Sequence, residues 1–398
     1  MPEQLANVIT LAPLADAAPF RRLVEEFGSP LLVLDCDAMR RKYRELRDAL
    51  PSVGLYYAIK SLPHPDALAT LAAEGASFDV ATSGELDLLR GIGADPAATI
   101  HTHPIKRERD IRDALDFGCN VFVVDNIDEL AKFEAFGAQA RLLLRVSFRG
   151  KGVVSDLSSK FGCEPGAVPW LLTEAARLGV PVIGLSFHVG SQSPDPEAHV
   201  AAIDACRAFF ASDTLAGTSR LHVLDIGGGF PADYDGSGVD LAGFCRPINA
   251  ALARYPAHVE VIAEPGRVLS APAMCSLSTV IGRARRGELT WYYLDDGVYG
   301  GFSGQIYDHA HYPLTVFNDD AALQRSVLAG PTCDSIDVIA EDVLLPVLQI
   351  GDLVLGREMG AYTLATASEF NSIPKPQVVA LNAPQRGADN VSYLAVGA

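Results

Sequence analysis

The chain has 398 residues, of which 49% are hydrophobic, and a net charge of −17. A chain of this length and apolar content can bury a large core and is expected to form two domains. The acidic balance excludes nucleic acid as the main partner, because phosphate groups are bound by basic patches. It favours a cationic small-molecule substrate, or serves solubility alone.

The cysteine pattern and the hydropathy exclude further classes of protein. The seven cysteines are scattered and include no Cys-x-x-Cys pair, so neither a disulfide framework nor a zinc or other metal site is expected. No apolar run reaches the ~20 residues of a membrane span, and the N-terminus lacks the basic and apolar regions of a signal peptide. We therefore expect a cytoplasmic protein with no membrane partner.

Short apolar runs alternate with amphipathic stretches between residues 29 and 267. The strands are predicted at residues 31–34, 54–59, 77–80, 98–101, 120–124, 141–146, 182–187, 222–226 and 259–263. The helices are predicted at residues 38–50, from about 65, and at 84–91, 106–117, 127–135, 168–178, 198–210 and 243–254. Repeated strand–helix units predict a parallel sheet covered by helices, and about eight of them favour a closed (β/α)8 TIM-type barrel.

The pattern changes after Arg267. Residues 274–281, 290–294, 326–328 and 352–355 are typical of strands joined by turns, with little helix between them. The sequence therefore predicts an α/β protein with three parts. Residues 1–28 are an N-terminal segment that joins the β domain, residues 29–267 form the barrel, and residues 268–398 form a mainly β domain.

Strand ends followed by unusual residues are candidate sites, because the carboxyl ends of barrel strands face the active site. Lys60 ends the apolar run Tyr-Ala-Ile-Lys, where a partly desolvated amine can form an imine with a carbonyl cofactor. His188 ends another strand, either as a catalytic imidazole or as a hydrogen-bonded rim residue. Glu264 ends a third, where it faces the barrel mouth or pairs with Arg267.

Two further stretches carry possible binding groups. The glycines at 227–229 allow backbone N–H groups to approach an anion, or simply make a tight turn. The segment Gly-Pro-Thr-Cys-Asp-Ser-Ile, residues 330–336, puts the thiol of Cys333 beside the carboxylate of Asp334, which suits proton transfer next to an amino cation. Tyr362 follows a glycine turn and is either a ligand or a packing residue.

The joint order of these motifs resembles the fold-type-III decarboxylases of basic amino acids that use pyridoxal 5'-phosphate (PLP), the ornithine decarboxylases above all. The resemblance runs from about residue 29 to 375. It implies a (β/α)8 barrel joined to a β-rich domain, as in alanine-racemase-like proteins. It also implies a carbon–carbon lyase of polyamine biosynthesis that converts L-ornithine to putrescine and CO2, with L-lysine to cadaverine as a second reaction.

The resemblance implies a role for each matching residue. Lys60 binds the cofactor as an imine, His188 stacks on its ring, and Glu264 partners the pyridine nitrogen. Phosphate contacts are implied for Ser191, Gly228, Gly229 and Tyr362, with Arg267 beside them. The remaining residues implied to line the cofactor site are Asp79, Glu85 and Arg145.

The same resemblance implies the substrate contacts. Asp308 and Asp334 hold the distal ammonium, Tyr299 lies in the specificity segment, and Phe370 lies near the scissile carboxylate. Cys333 is the acid that reprotonates the α-carbon. In the family the equivalents of Cys333 and Asp334 come from the neighbouring subunit, so a homodimer with shared active sites is implied.

Some features depart from the family pattern and leave alternatives open. Lys60 is followed by Ser-Leu-Pro-His, residues 61–64, where many relatives have Ala-Asn or Cys-Asn, and Thr102-His103-Pro104 replaces an Asn-containing turn. One alternative is a fold-type-III decarboxylase of a larger conjugated diamino acid in a siderophore or antibiotic pathway. Another is a non-catalytic regulatory homologue, although the lysine, the cysteine and the phosphate ligands are all present.

Overall fold

The computed structural model describes residues 7–8, 17–148, 160–210, 220–317 and 322–384. The described residues form two compact units. The sheet unit takes its residues from 1–39, 232–238 and 270–398, and the barrel unit takes its residues from 40–231 and 239–269. None of the described helices is both long enough and apolar enough to cross a membrane.

The secondary structure alternates along the chain as far as residue 270. The strands are β1 Asn7–Val8, β2 Leu31–Asp35, β3 Val53–Ala58, β4 Ser77–Val80, β5 Thr99–His101, β6 Val121–Val124, β7 Arg141–Arg145, β8 Val182–Ser186, β9 Val223–Asp225, β10 Glu260–Ala263, β11 Met274–Arg286, β12 Leu289–Leu294, β13 Leu314–Val316, β14 Gln324–Ala329, β15 Val338–Leu345, β16 Leu353–Gly356 and β17 Gln377–Leu381. The helices are α1 Ala18–Phe27, α2 Cys36–Ala49, α3 Pro65–Ala73, α4 Ser83–Ile92, α5 Glu108–Phe117, α6 Ile127–Lys132, α7 Val168–Arg177, α8 Glu197–Phe210, α9 Leu241–Leu252, α10 Arg267–Ser270 and α11 Gly304–Tyr307.

The barrel unit contains a closed ring of eight parallel strands, in the order β10-β3-β4-β5-β6-β7-β8-β9. Its strands are short apolar runs because both of their faces are covered. Six of their side chains, which form one buried cluster, are Ile100, Val123, Leu143, Ile183, Val223 and Ile262. The predicted TIM-type barrel is therefore confirmed.

Polar caps set where several barrel helices begin. Thr82, Asn126 and Asp240 accept hydrogen bonds from backbone N–H groups in the first turns of α4, α6 and α9. Such caps satisfy N–H groups that have no partner inside the helix. They therefore define where the strand-to-helix loops end.

The sheet unit is built around the long strand β11, which pairs antiparallel with β12, β16 and β2. Apolar side chains cover it in two clusters, one containing Tyr292, Phe302 and Leu328, and the other containing Leu277 and Val379. The mainly β character expected after residue 267 is confirmed, because seven of the strands lie there.

Strand β2 differs from the prediction, which placed it in the barrel. It pairs antiparallel with β11 and parallel with β17, so it is an interior strand of the sheet unit. Its residues Leu31 to Leu34 are fully buried. An apolar run indicates burial on both faces but not which sheet provides it, and the barrel begins at β3.

Candidate active site

Lys60 lies in a single turn of 3₁₀ helix directly after β3. Its Nζ is 2.5 Å from Oδ2 of Asp79, a buried residue on the neighbouring strand β4. The other oxygen of Asp79 accepts a hydrogen bond from the hydroxyl of Thr102, which follows β5. Three adjacent strand ends thus orient one amine, and Thr102 is a contributor that the sequence did not identify.

Glu85 lies in the first turn of α4, where its Oε2 accepts a hydrogen bond from the N–H of Ala81 at 2.5 Å. Burial raises the pKa of Glu85 above its usual range, and the nearby Asp79 charge acts in the same direction. Glu85 therefore belongs to the same carboxylate-rich end of the barrel as Asp79.

His188 follows β8 and is a neutral imidazole. Its Nδ1 accepts a hydrogen bond from the N–H of Gly190 at 2.9 Å, which leaves the ring proton on Nε2. Burial, followed by the charges of Arg145 and Lys60, holds the pKa of His188 well below its usual range. A neutral ring fixed in this way can lie against a planar ligand without carrying a charge.

The glycine turn after β9 cannot accommodate side chains. Gly227 and Gly229 have φ values of +65° and +100°. A Cβ on Gly228 would lie 2.8 Å from the carbonyl oxygen of Glu264, and one on Gly229 would lie 2.5 Å from that of Gly190. No acceptor for the N–H groups of Gly228 or Gly229 is found among the described residues, which suits an anion.

Ser191 and Arg267 extend this cradle. The guanidinium of Arg267 donates to Oγ of Ser191 from Nε at 3.1 Å and from Nη2 at 2.9 Å. Arg267 is buried, so its charge acts where water screens it weakly. A phosphate group fits such a combination of backbone N–H groups, a hydroxyl and a guanidinium.

Glu264 follows β10 and lies beside a second carboxyl, that of Asp225 at the end of β9. Burial first, and then the Asp225 charge, raise the pKa of Glu264 well above its usual range. Burial raises the pKa of Asp225 to about 6. Asp225 is the other residue that the sequence did not identify, although it stands directly before the Ile-Gly-Gly-Gly run.

A cleft of about 470 Å³ adjoins this end of the barrel. Its lining includes His103, Thr82 and Lys106, and His103 packs edge-on against Phe161 with ring centroids 5.5 Å apart. His103 belongs to the turn that departs from the family pattern, and the structure places it on the wall of this cleft.

The predicted substrate residues belong to the sheet unit, where three of them are in contact. Tyr299 donates a hydrogen bond to Oδ2 of Asp334 at 2.5 Å, and its ring stacks on Phe370 with centroids 4.4 Å apart. The thiol-bearing Cys333 is exposed, and its N–H donates to Oδ1 of Asn371 at 3.1 Å. A carboxylate, a thiol and an aromatic surface thus share one part of this unit.

Asp337 links the loop of Tyr299 to the loop of Cys333 and Asp334 through hydrogen bonds. Its Oδ1 accepts from the N–H of Val298 at 2.8 Å, and its Oδ2 accepts from the hydroxyl of Thr332 at 2.7 Å. Because Asp337 is buried, these bonds hold the Tyr299 loop against the Cys333 loop.

Two other predicted residues also lie in the sheet unit. Asp308 ends α11, where its N–H donates to the carbonyl oxygen of Gly304 at 2.9 Å. Tyr362 has φ +56° and packs against a small cluster of buried alanines. No group of His, Cys, Asp and Glu residues that could hold a metal ion is found among the described residues.

The residues of the barrel unit fit PLP. The glycine cradle that a Cβ would fill matches a phosphate, the amine of Lys60 matches an aldehyde, and the half-buried Glu264 carboxyl matches a pyridine nitrogen. His188 supplies a neutral planar group for the ring. Each of these matches concerns a different part of the same cofactor.

Comparisons with known proteins agree with this fit. The model of the pyridoxal-binding domain of pyridoxal-dependent decarboxylases matches residues 36–271. A crystal structure of lysine/ornithine decarboxylase from Vibrio vulnificus, complexed with putrescine, is 51% identical, covers 93% of this chain and 99% of that chain, and has a TM-score of 0.88. A second structure, complexed with cadaverine, has the same identity and coverage and a TM-score of 0.89.

A relative known from its sequence gives the same result. Lysine/ornithine decarboxylase from Selenomonas ruminantium is 38% identical over 352 residues, which are 88% of this chain and 89% of the relative. The expectations of a PLP enzyme and of its fold are thereby confirmed. The chain belongs to the PLP-dependent fold-type-III decarboxylases of basic amino acids.

Proposed function

We propose that the enzyme decarboxylates L-ornithine to putrescine and CO2, and L-lysine to cadaverine as a second reaction. The observation that carries this proposal is the hydrogen bond between Tyr299 and Asp334, because Asp334 lies in the same loop as Cys333. A carboxylate of this kind recognises a distal ammonium group. The similar structures from Vibrio vulnificus contain putrescine and cadaverine, which supports the same two products.

The residues of the barrel unit hold the cofactor in this proposal. PLP, when bound, supplies the electron sink that makes loss of CO2 from an α-amino acid possible. Lys60 binds its aldehyde, with Asp79 and Thr102 orienting the amine. Gly228, Gly229, Ser191, Arg267 and Tyr362 bind its phosphate, and Glu264 accepts a hydrogen bond from the pyridine nitrogen. Glu85 and Arg145 line the rest of the site.

The residues of the sheet unit select the substrate and handle its proton. Asp308 and Asp334 bind the distal ammonium, and the hydroxyl of Tyr299 keeps Oδ2 of Asp334 in place. Phe370 provides an apolar surface for the carboxylate that leaves as neutral CO2. Cys333 gives its proton to the α-carbon.

The functional protein in this proposal is a homodimer in which Cys333 and Asp334 serve the site of the partner subunit. The exposure of apolar side chains near these two residues supports the proposal, because Ile336 of the same loop is 51% exposed and Phe370, which stacks on Tyr299, is 39% exposed. Exposed apolar side chains that lie near one another are typical of surfaces that a partner covers.

The Asp334→Ala variant tests the substrate assignment. Loss of one charge-assisted hydrogen bond of roughly 1.5–3 kcal/mol should lower kcat/KM for ornithine about ten- to a hundredfold, with cofactor affinity unchanged. Asp342→Ala, which removes an exposed carboxylate of the same unit, is the control. Full ornithine activity in Asp334→Ala would replace ornithine by a larger conjugated diamino acid in the proposal.

A further inference from the structure

We propose that Asp225 is a positioning residue that shares one proton with Glu264 and takes this proton on Oδ2 when Glu264 accepts a hydrogen bond from the cofactor. The inference rests on the proposed role of Glu264 as the partner of the pyridine nitrogen. It adds a second carboxyl behind that contact.

The barrel topology places the two carboxyls together. Strands β9 and β10 run parallel with Asp225 opposite Ile262, so Glu264 begins the loop two residues beyond this pairing. The glycine turn closes over the same point, because the N–H of Glu264 donates to the carbonyl oxygen of Gly227 at 2.8 Å.

The two oxygens of Asp225 differ in their partners. Oδ1 accepts a hydrogen bond from the N–H of Gly227 at 2.9 Å. Oδ2 is buried and has no hydrogen-bond partner among the described residues. A buried polar atom without a partner costs about 1–3 kcal/mol, and more when it carries charge. A proton between Oδ2 and the Glu264 carboxyl removes this cost at Oδ2 of Asp225.

The surrounding charges favour keeping that proton. Asp79 is the third carboxyl facing the pair, and the cations whose charges act on the pair are Lys60 and Arg145. Three ionised carboxylates against two cations would leave an uncompensated negative charge in a buried place. Because the two carboxyls lie side by side, a shared proton belongs to the pair rather than to either residue.

A cofactor that binds with its pyridine nitrogen already protonated would then require no proton exchange with water at this point. The O–H bond of Glu264 breaks and an O–H bond of Asp225 forms at Oδ2, which leaves Glu264 as a carboxylate for the pyridinium N–H. The new Asp225 hydroxyl donates back to Glu264 and fixes the direction of its side chain. Asp225 therefore contributes a carboxylic acid that donates a hydrogen bond, and not a second negative charge.

The Asp225→Asn variant separates the role of a hydrogen-bond donor from that of a second negative charge. Its Oδ1 still accepts from Gly227, and its amide donates to Glu264 from the position of Oδ2. We expect a PLP dissociation constant within about threefold of the wild type for Asp225→Asn, and at least tenfold weaker binding for Asp225→Ala, a loss that matches a charge-assisted hydrogen bond. Equal losses in both variants, with unfolding temperatures like the wild type, would overturn the proposal.

Infrared difference spectroscopy on the PLP-loaded protein provides an independent readout. The wild-type spectrum minus that of Asp225→Asn should contain one band of a buried protonated carboxyl that shifts in D2O. Absence of the band at neutral pH would overturn the shared proton. Unchanged turnover in Glu264→Gln would instead remove Glu264 from the proposed cofactor contact, whatever the infrared result.

Discussion

At the scale of single residues, the amine of Lys60 is held by a series of polar contacts that crosses three neighbouring strand ends. Lys60 contacts Asp79, and Asp79 accepts from Thr102. Asp79 is fully buried, so it depends on these two partners for orientation. Loss of the Thr102 hydroxyl would therefore affect the Lys60 amine through Asp79.

The Thr102→Val variant removes the hydroxyl but keeps the shape of the side chain. We expect kcat to fall about tenfold, because Asp79 loses one hydrogen bond worth about 1–1.5 kcal/mol and holds Lys60 less well. Thr102→Ser retains the hydroxyl and should keep most of the activity. Steady-state kinetics and borohydride trapping of PLP on Lys60 measure both effects. Equal activity of Thr102→Val and the wild type would show that Asp79 needs no orientation.

Single residues also show which parts of the candidate site could be predicted from the sequence. Lys60, His188, Glu264 and the glycines were identifiable because each stands at the end of an apolar strand. Thr102 and Asp225 act through contacts between neighbouring strands, and these depend on register that no local pattern encodes. Asp225 carried one available signal, since a carboxylate directly before an anion-binding glycine turn requires a compensating partner.

At the scale of elements, the glycine turn between β9 and α9 is the least tolerant part of the barrel rim. A Cβ at Gly228 would approach backbone oxygen at 2.8 Å and Nε2 of His188 at 3.1 Å. The second contact matters for the proposed function because it would move the ring of His188, which is proposed to face the cofactor. His199 supports the turn from α8, with Nε2 3.0 Å from the carbonyl oxygen of Gly228.

The Gly228→Ala variant should therefore weaken PLP binding by at least tenfold, or about 1.4 kcal/mol, while the barrel remains folded. Fluorescence titration with PLP and circular dichroism measure the two properties. Gly91→Ala is the matched control, since nothing lies within 4 Å of its Cβ in α4. That control should keep wild-type affinity, and wild-type affinity in Gly228→Ala would contradict the cradle.

The positions of the strands along the chain were predicted better than the sheet to which each strand belongs. Apolar runs located each barrel strand to within a few residues, because a covered parallel strand is apolar throughout. The same property misplaced β2, whose pairing partners are β11 and β17. The strands β1, β13, β15 and β17 were not predicted, because β1 and β13 are only two and three residues long and the burial of β15 and β17 is uneven.

At the scale of the whole molecule, Asp296 makes the stability of the sheet unit depend on pH. Asp296 is 3% exposed, and burial raises its pKa to about 7. The folded protein therefore binds this proton more tightly than the unfolded chain does. The stabilisation is fully present below pH ~4 and is lost as pH rises through the folded pKa.

The Asp296→Asn variant cannot ionise and should lack this dependence. Between pH 5 and pH 8 the wild type should lose roughly 2–3 kcal/mol more unfolding free energy than the variant. Denaturant unfolding at the two pH values measures this difference. Asp342→Asn removes an exposed carboxylate and should parallel the wild type. A parallel profile for Asp296→Asn would show that Asp296 is ionised in the folded protein.

The proposed shared site can be tested by mixing subunits. If Cys333 and Asp334 act across the interface, a dimer of one Lys60→Ala and one Asp334→Ala subunit contains one intact site and one with both changes. Such mixed dimers should show about half of the wild-type activity. A mixture of Lys60→Ala and Glu264→Ala subunits, both altered in the barrel unit, should recover none. No recovery in the first mixture, with mixed dimers seen by native mass spectrometry, would place both residues in one subunit.

The central claim is tested most directly by the products formed from a panel of amino acids. Purified protein with PLP is incubated with L-ornithine, L-lysine, L-arginine and diaminopimelate, and CO2 and amine are quantified together. We predict equimolar putrescine and CO2 from ornithine with the highest kcat/KM, and slower formation of cadaverine from lysine. Absence of putrescine, or a higher kcat/KM for arginine or diaminopimelate, would contradict the account.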